Sequence, residues 1–141
     1  MDRGTKIYAI ILGVLTLSLA VIFLYESPKV GELNERLESL EKINTFPYHF
    51  KVLRISNGVA IMSSPRSTDV PVSRILGILF PQVKGKTTQS PEFQKAQKIL
   101  AKVQTLARDT VILDNEINQV KWELDRYWLT QHGIVLNTPT R

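Results

Sequence analysis

The stretch YHFKVLRISNGVAIM, residues 48–62, decides the fold. Two runs of strand formers flank Asn57-Gly58. A type I′ turn needs positive φ at both central residues, so Asn-Gly between such runs predicts a hairpin. With Asn57-Gly58 as a two-residue loop, Ile55 pairs with Ala60 and Leu53 with Met62. These four side chains then share one face, directed at a core. Arg54, Ser56, Val59 and Ile61 occupy the other face, which is half apolar, so part of it is expected to be covered.

Downstream, Ser63-Ser64-Pro65-Arg66-Ser67-Thr68-Asp69 reads as a polar loop. A short apolar helix follows over 71–80, with Val72, Ile75, Leu76 and Leu79 as its buried stripe and Pro81 as its stop. Residues 82–89 form a loop containing Lys84, Gly85 and Lys86. Ser90-Pro91-Glu92 combines a cap, a proline in the first turn and an acid at the positive end of the dipole, so a long helix is expected over 91–113. Its stripe is Phe93, Ala96, Leu100, Val103 and Ala107, with Ile99 and Leu106 beside it. Val120, Trp122 and Leu124 alternate with charged residues, as in a strand over 119–125 with one face buried. Tyr127-Trp128-Leu129 forms a last turn, His132-Gly133 breaks it, and 137–141 is a tail. This order predicts an α+β domain over 47–136: a small antiparallel sheet, hairpin 48–63 plus strand 119–125, packed by helices 71–80 and 91–113.

Upstream lies an acidic amphipathic neck, 26–46. Ser27 can cap a helix whose first turn holds Pro28. Val30, Leu33, Leu37 and Leu40 follow the a/d rhythm of a coiled coil, but two heptads are too few for an independent one. Two readings stay open here: the seam of a homodimer, or a helix packed on its own domain.

After a short tail, 1–6, the run Ile7–Tyr25 carries no charge over 19 residues, close to the roughly 20 apolar residues that span a bilayer core. Inside a membrane the backbone must satisfy its own hydrogen bonds, so this run is expected to be a transmembrane helix. Tyr8 and Tyr25 suit its interfaces. Ser18-Leu19-Ala20 has cleavage-site spacing, yet Val21-Ile22-Phe23-Leu24-Tyr25 extends the apolar run beyond it. The expectation is therefore an uncleaved signal-anchor. Arg3 and Lys6 on one side balance Lys29 and Arg36 on the other. The short tail and the five Glu that follow favour a cytoplasmic N-terminus. The chain is then a single-pass protein of the inner (plasma) membrane with its domain periplasmic or extracellular.

The net charge of +5 is unevenly spread. Residues 47–141 carry 13 basic and 7 acidic side chains, whereas the neck is acidic. A basic head suits anionic lipid, nucleic acid or an acidic partner, and an outward-facing domain would not meet nucleic acid. Lys84, Lys86, Lys95, Lys98 and Lys102 are the candidate face for an anion or lipid headgroup. Ser63, Ser64, Arg66 and Ser67 form a polar loop able to hold a phosphate or carboxylate, or simply a set of capped turns. Trp122 is expected in the core, and one of Tyr127 and Trp128 is expected to be exposed.

The absence of Cys excludes disulfides, thiolate metal sites and Cys nucleophiles. His49 and His132 have no spacing that would join a serine and a carboxylate in a triad. No Walker loop and no GxGxxG is present. The residues therefore define no catalytic set, no cofactor site and no metal site.

The hairpin VLRISNGVAIMSS together with AQKILAKVQTLARD and INQVKWELD resembles the BON domain of bacterial envelope proteins. Ile117-Asn118-Gln119-Val120 stands where that family has a glycine-containing "GV..V" pattern, and 65–91 is extra. The resemblance covers about two thirds of the head and implies an envelope location with phospholipid or partner binding. The whole chain also resembles a family of small single-anchor bacterial proteins sharing stretches like FKVLRISNGVAIMSSPRS, ILFP and VKWELDRYWLTQHGI. Some of these are described as glutamate–ammonia-ligase adenylyltransferases. Such an enzyme core would need a Gly-Ser turn followed by paired Asp residues for Mg²⁺. This chain has neither, and its Glu123-x-Asp125 lacks the preceding turn. The expected function is a membrane-anchored envelope domain that binds a protein partner or anionic lipid without catalysis. The alternatives are a nucleotidyltransferase and a dimeric coiled-coil scaffold.

Overall fold

A computed structural model describes residues 2–24 and 27–136. The expected tail 137–141 lies outside the described residues, as do Tyr25 and Glu26. Helix α1 runs Arg3–Leu24, and none of its residues is buried against the rest of the chain. Thr16 and Ser18 turn their hydroxyls back onto the carbonyls of Leu12 and Val14, which hides both polar groups within the helix itself.

The remaining elements form an α+β unit around one core. They are α2 (Pro28–Ser39), α3 (Glu41–Asn44), β1 (Val52–Ser56), β2 (Val59–Ser64), α4 (Val72–Leu79), a 3₁₀ turn (Pro81–Val83), α5 (Pro91–Ile112), β3 (Gln119–Leu124) and α6 (Arg126–Gln131). The three strands form one sheet in the order β1-β2-β3.

The hairpin turn is as its residues dictate: Asn57 and Gly58 both have positive φ, 50° and 76°. Ile55 faces Ala60. The expected pairing of Leu53 with Met62 is not made. A bulge between Val52 and Arg54 places Val52 opposite Met62, and Leu53 is the extra residue, 37% exposed. The bulge adds one residue to β1, so the apolar side chain that enters the core is Val52.

The sheet is mixed, correcting the antiparallel expectation. β3 runs parallel to β2, with Ala60 beside Val120 and Met62 beside Trp122. Between these strands the chain passes through α4 and α5, a crossover long enough to return β3 in the same direction as β2. Alternation along β3 still sets Val120, Trp122 and Leu124 towards the core.

The neck belongs to the domain. Val30, Leu33 and Leu37 are buried in the common core, and Leu40 packs against it. These four residues do not form an exposed seam for a second chain, because one core already takes their stripe. α2 also seals the free edge of β1: the Asn34 side-chain amide donates to the Val52 carbonyl (3.0 Å) and accepts from the Val52 N–H (2.7 Å). This amide substitutes for a neighbouring strand, a standard way to protect a sheet edge. Phe93, Ala96, Leu100, Val103 and Ala107 of α5 are buried as their spacing predicts, and Ser90 caps the helix through the Phe93 N–H.

Candidate functional site

Four basic residues line one cleft of about 550 Å³. It lies between α4, the turn that follows it and the end of α6. Its walls include Ser73, Arg74, Lys84, Lys86 and His132 over an apolar floor of Ile78, Val83 and Ile134. Each part has a local cause. The apolar stripe of α4 enters the core, which leaves Ser73 and Arg74 on the open side. Gly85 takes φ of +78°, so the chain turns between Lys84 and Lys86 in a way an L side chain resists. Gly133, with φ of +76°, ends α6 beside His132.

Lys86 is held by Glu92 in the first turn of α5 at 3.5 Å. Glu92 is lowered from the ordinary carboxylate range by its own backbone N–H and by Lys86. The His132 ring lies 4.3 Å from that of Trp128, and its Nδ1 is 2.7 Å from the Trp128 carbonyl. A carbonyl only accepts, so Nδ1 carries the proton and Nε2 is left for another partner. The arrangement suits a carboxylate or phosphate: Arg74, Lys84 and the Ser73 hydroxyl line the cleft, and Lys86 is shared with Glu92.

The five candidate lysines do not form one face. Lys84 and Lys86 line this cleft, with Arg74 and His132, which the sequence did not single out as ligands. Lys102 instead lines, with Lys42, an apolar groove of about 460 Å³ together with Phe46, Ile99, Val103 and Leu106. Lys95 and Lys98 are exposed on α5 and line neither recess.

The polar loop is occupied with its own turns. The Ser64 hydroxyl accepts from the Arg66 N–H and that of Ser67 from the Asp69 N–H. Ser63 is buried, and its hydroxyl lies 3.4 Å from the Lys51 N–H as acceptor. Arg66 lies at a small recess with Gln104, Arg108 and Trp122. Trp122 packs edge-on against Phe50, while Tyr127 is exposed and Trp128 packs on Tyr48.

Glu123 on β3 and Asp125 just beyond its end both have structural duties. Arg54 grips Glu123 through two hydrogen bonds, 3.1 and 2.8 Å. That guanidinium holds the Glu123 carboxyl below its usual range. Asp125 caps α6 through the Trp128 N–H and accepts from the Tyr48 hydroxyl at 2.9 Å. Burial is the main cause raising the Tyr48 phenol far above its ordinary value. Among the described residues, no group of three or more His, Asp or Glu is placed to hold a metal ion.

No protein-family model, no curated protein and no solved structure matches this chain.

Proposed function

We propose that this protein is a membrane-anchored, non-catalytic binding domain whose basic cleft receives an acidic group of a partner protein. The observation that carries the reading is that Arg74, Lys84, Lys86 and His132 line the same cleft. The anchor rests on α1, apolar through most of its length and without a buried residue. The likeness to BON domains noted in the sequence points the same way. The engagement of Glu123 and Asp125 in structural contacts argues against the nucleotidyltransferase alternative, whose chemistry needs carboxylates available to Mg²⁺.

A protein partner is favoured over the headgroups of the protein's own membrane by the position of the cleft. Lys86 is tied to the start of α5 through Glu92. Lys29, five residues beyond the end of α1, is tied to the end of α5 through Asp114. α5 has 22 residues, so these points lie about 33 Å apart at 1.5 Å per residue. A second reading, an anionic amphiphile, is favoured by the apolar groove that Lys42 and Lys102 help to line.

The test uses full-length protein in neutral-lipid vesicles and a fluorescent polyglutamate peptide at low salt. Arg74→Glu with Lys84→Glu should abolish peptide binding, and Lys95→Glu with Lys98→Glu should weaken it only slightly. Equal loss from both pairs would reduce the interaction to diffuse attraction and refute the cleft. Binding confined to anionic vesicles and lost on Lys42→Glu would transfer the function to the groove.

A further inference from the structure

The end of the domain nearest the anchor can be identified from covalent reach. Four residues lie between Leu24, the last of α1, and Lys29, so even fully extended the five steps span at most about 18 Å. The Lys29 ammonium lies 2.8 Å from the Asp114 carboxylate and 3.5 Å from that of Glu116. The turn 112–118 is therefore held close to wherever α1 ends. The hairpin tip joins it, since the Asn118 N–H donates to the Gly58 carbonyl at 2.8 Å.

On this turn Leu113 is 84% exposed and Ile112 is 40% exposed, although Val111 and Asp114 on either side of them are buried. The acidic groups beside them are largely paired: Lys29 and Arg36 are shared among Glu32, Asp114 and Glu116. Asp114 is bound by Lys29 and by Arg36 at 3.2 Å, and Arg36 also binds Glu32. An apolar tip whose neighbouring charges are largely paired approaches lipid headgroups at a reduced electrostatic cost, and moving exposed leucine surface out of water is favourable.

We infer that Leu113 and Ile112 dip into the interface of the bilayer that holds α1. The end of the domain is thereby docked on the membrane, and the basic cleft at the opposite end of α5 stays clear of it. The inference rests on α1 as the anchor. The occupant is the protein's own bilayer rather than a second copy, because the tether delivers this turn to that surface in every molecule.

The chain contains no Cys, so single-cysteine probes are unambiguous. Leu113→Cys, Asn115→Cys, Tyr127→Cys and Leu15→Cys would each be labelled with an environment-sensitive fluorophore. The full chain would be reconstituted in vesicles at about one copy each, with and without lipids carrying a spin-label quencher near the headgroup or at mid-chain. The expected result is strong headgroup-depth quenching at 113, weaker quenching at 115 and none at Tyr127, which is exposed on α6. Probes at 113 and 115 as unquenched as the one at 127, with the probe at 15 quenched at mid-chain depth, would overturn the inference and leave the anchor standing. An unquenched probe at 15 would overturn the anchor, and the inference with it.

Discussion

Asn34→Ala removes a half-buried side chain that does not line the basic cleft and fills little of the core, yet it should cost more than most surface changes. Both Val52 backbone groups lose their partner, and Val52 is only 2% exposed. A net hydrogen bond is worth about 1 kcal/mol, and a buried group left unsatisfied costs about 1–3. The expected loss is about 2.5 kcal/mol, since water can reach one of the two groups at the sheet edge. For a head of this size the unfolding entropy is about 0.2 kcal/mol per degree, so the melting temperature should fall by about 10 °C. The assay is thermal unfolding of the full chain in detergent, followed by tryptophan fluorescence. Both tryptophans, Trp122 and Trp128, lie in the head. Glu35→Ala, at the next and exposed position, is the control and should shift the melt by no more than about 2 °C. If Asn34→Ala melts with that control, α2 does not seal the β1 edge and the integration of the neck into the domain is refuted.

Three further outcomes follow from the packing. Leu37→Ala should destabilise the head by about 2–5 kcal/mol without changing its oligomeric state in detergent, because Leu37 is fully buried in its own core; a dissociating dimer with an unchanged melt would restore the coiled-coil reading. Gly58→Ala should cost at least about 1 kcal/mol, since its φ is +76° and a Cβ would lie 2.6 Å from Asn118 Nδ2; chemical unfolding checks this, and a neutral effect would contradict the described turn. Acid should weaken the fold: Asp114 is lowered chiefly by its hydrogen bond with Lys29, and Glu123 by Arg54. A carboxylate with a lowered folded-state value stabilises above its unfolded value of about 4, and that contribution is lost as pH falls. Melts between pH 3 and 6 should therefore decline below about pH 4, and a melt that rises on acidification would contradict the ion pairs.

Much of the domain was legible because periodicity carried it. The stripes of α4 and α5, the Asn57-Gly58 turn and the alternation on β3 each follow from local spacing. Strand direction did not, since alternation reads the same for a parallel or antiparallel neighbour; only the length of chain between β2 and β3 held that information. The bulge at Leu53 was hidden because Val52, Leu53 and Ile55 place apolar residues on both parities. Asn34 read as one polar residue of a helix, and its role depends on a strand edge 18 positions away. The cleft was half legible. Lys84 and Lys86 are neighbours in sequence, but Arg74 and His132 come from separate elements, and no local pattern relates them. The five-lysine face divides for the same reason: Lys84 and Lys86 line the cleft, Lys102 lines the groove, and Lys95 and Lys98 stand on the exposed side of α5.

The most direct test of the binding account is a titration of the isotopically labelled full chain in detergent with an acidic peptide, read from backbone amide shifts. A binding cleft gives saturable shifts clustered on Arg74, Lys84, Gly85, Lys86 and His132, absent in the Arg74→Glu, Lys84→Glu variant. Shifts spread evenly over exposed lysines such as Lys95 and Lys98, or none at the cleft, would contradict it.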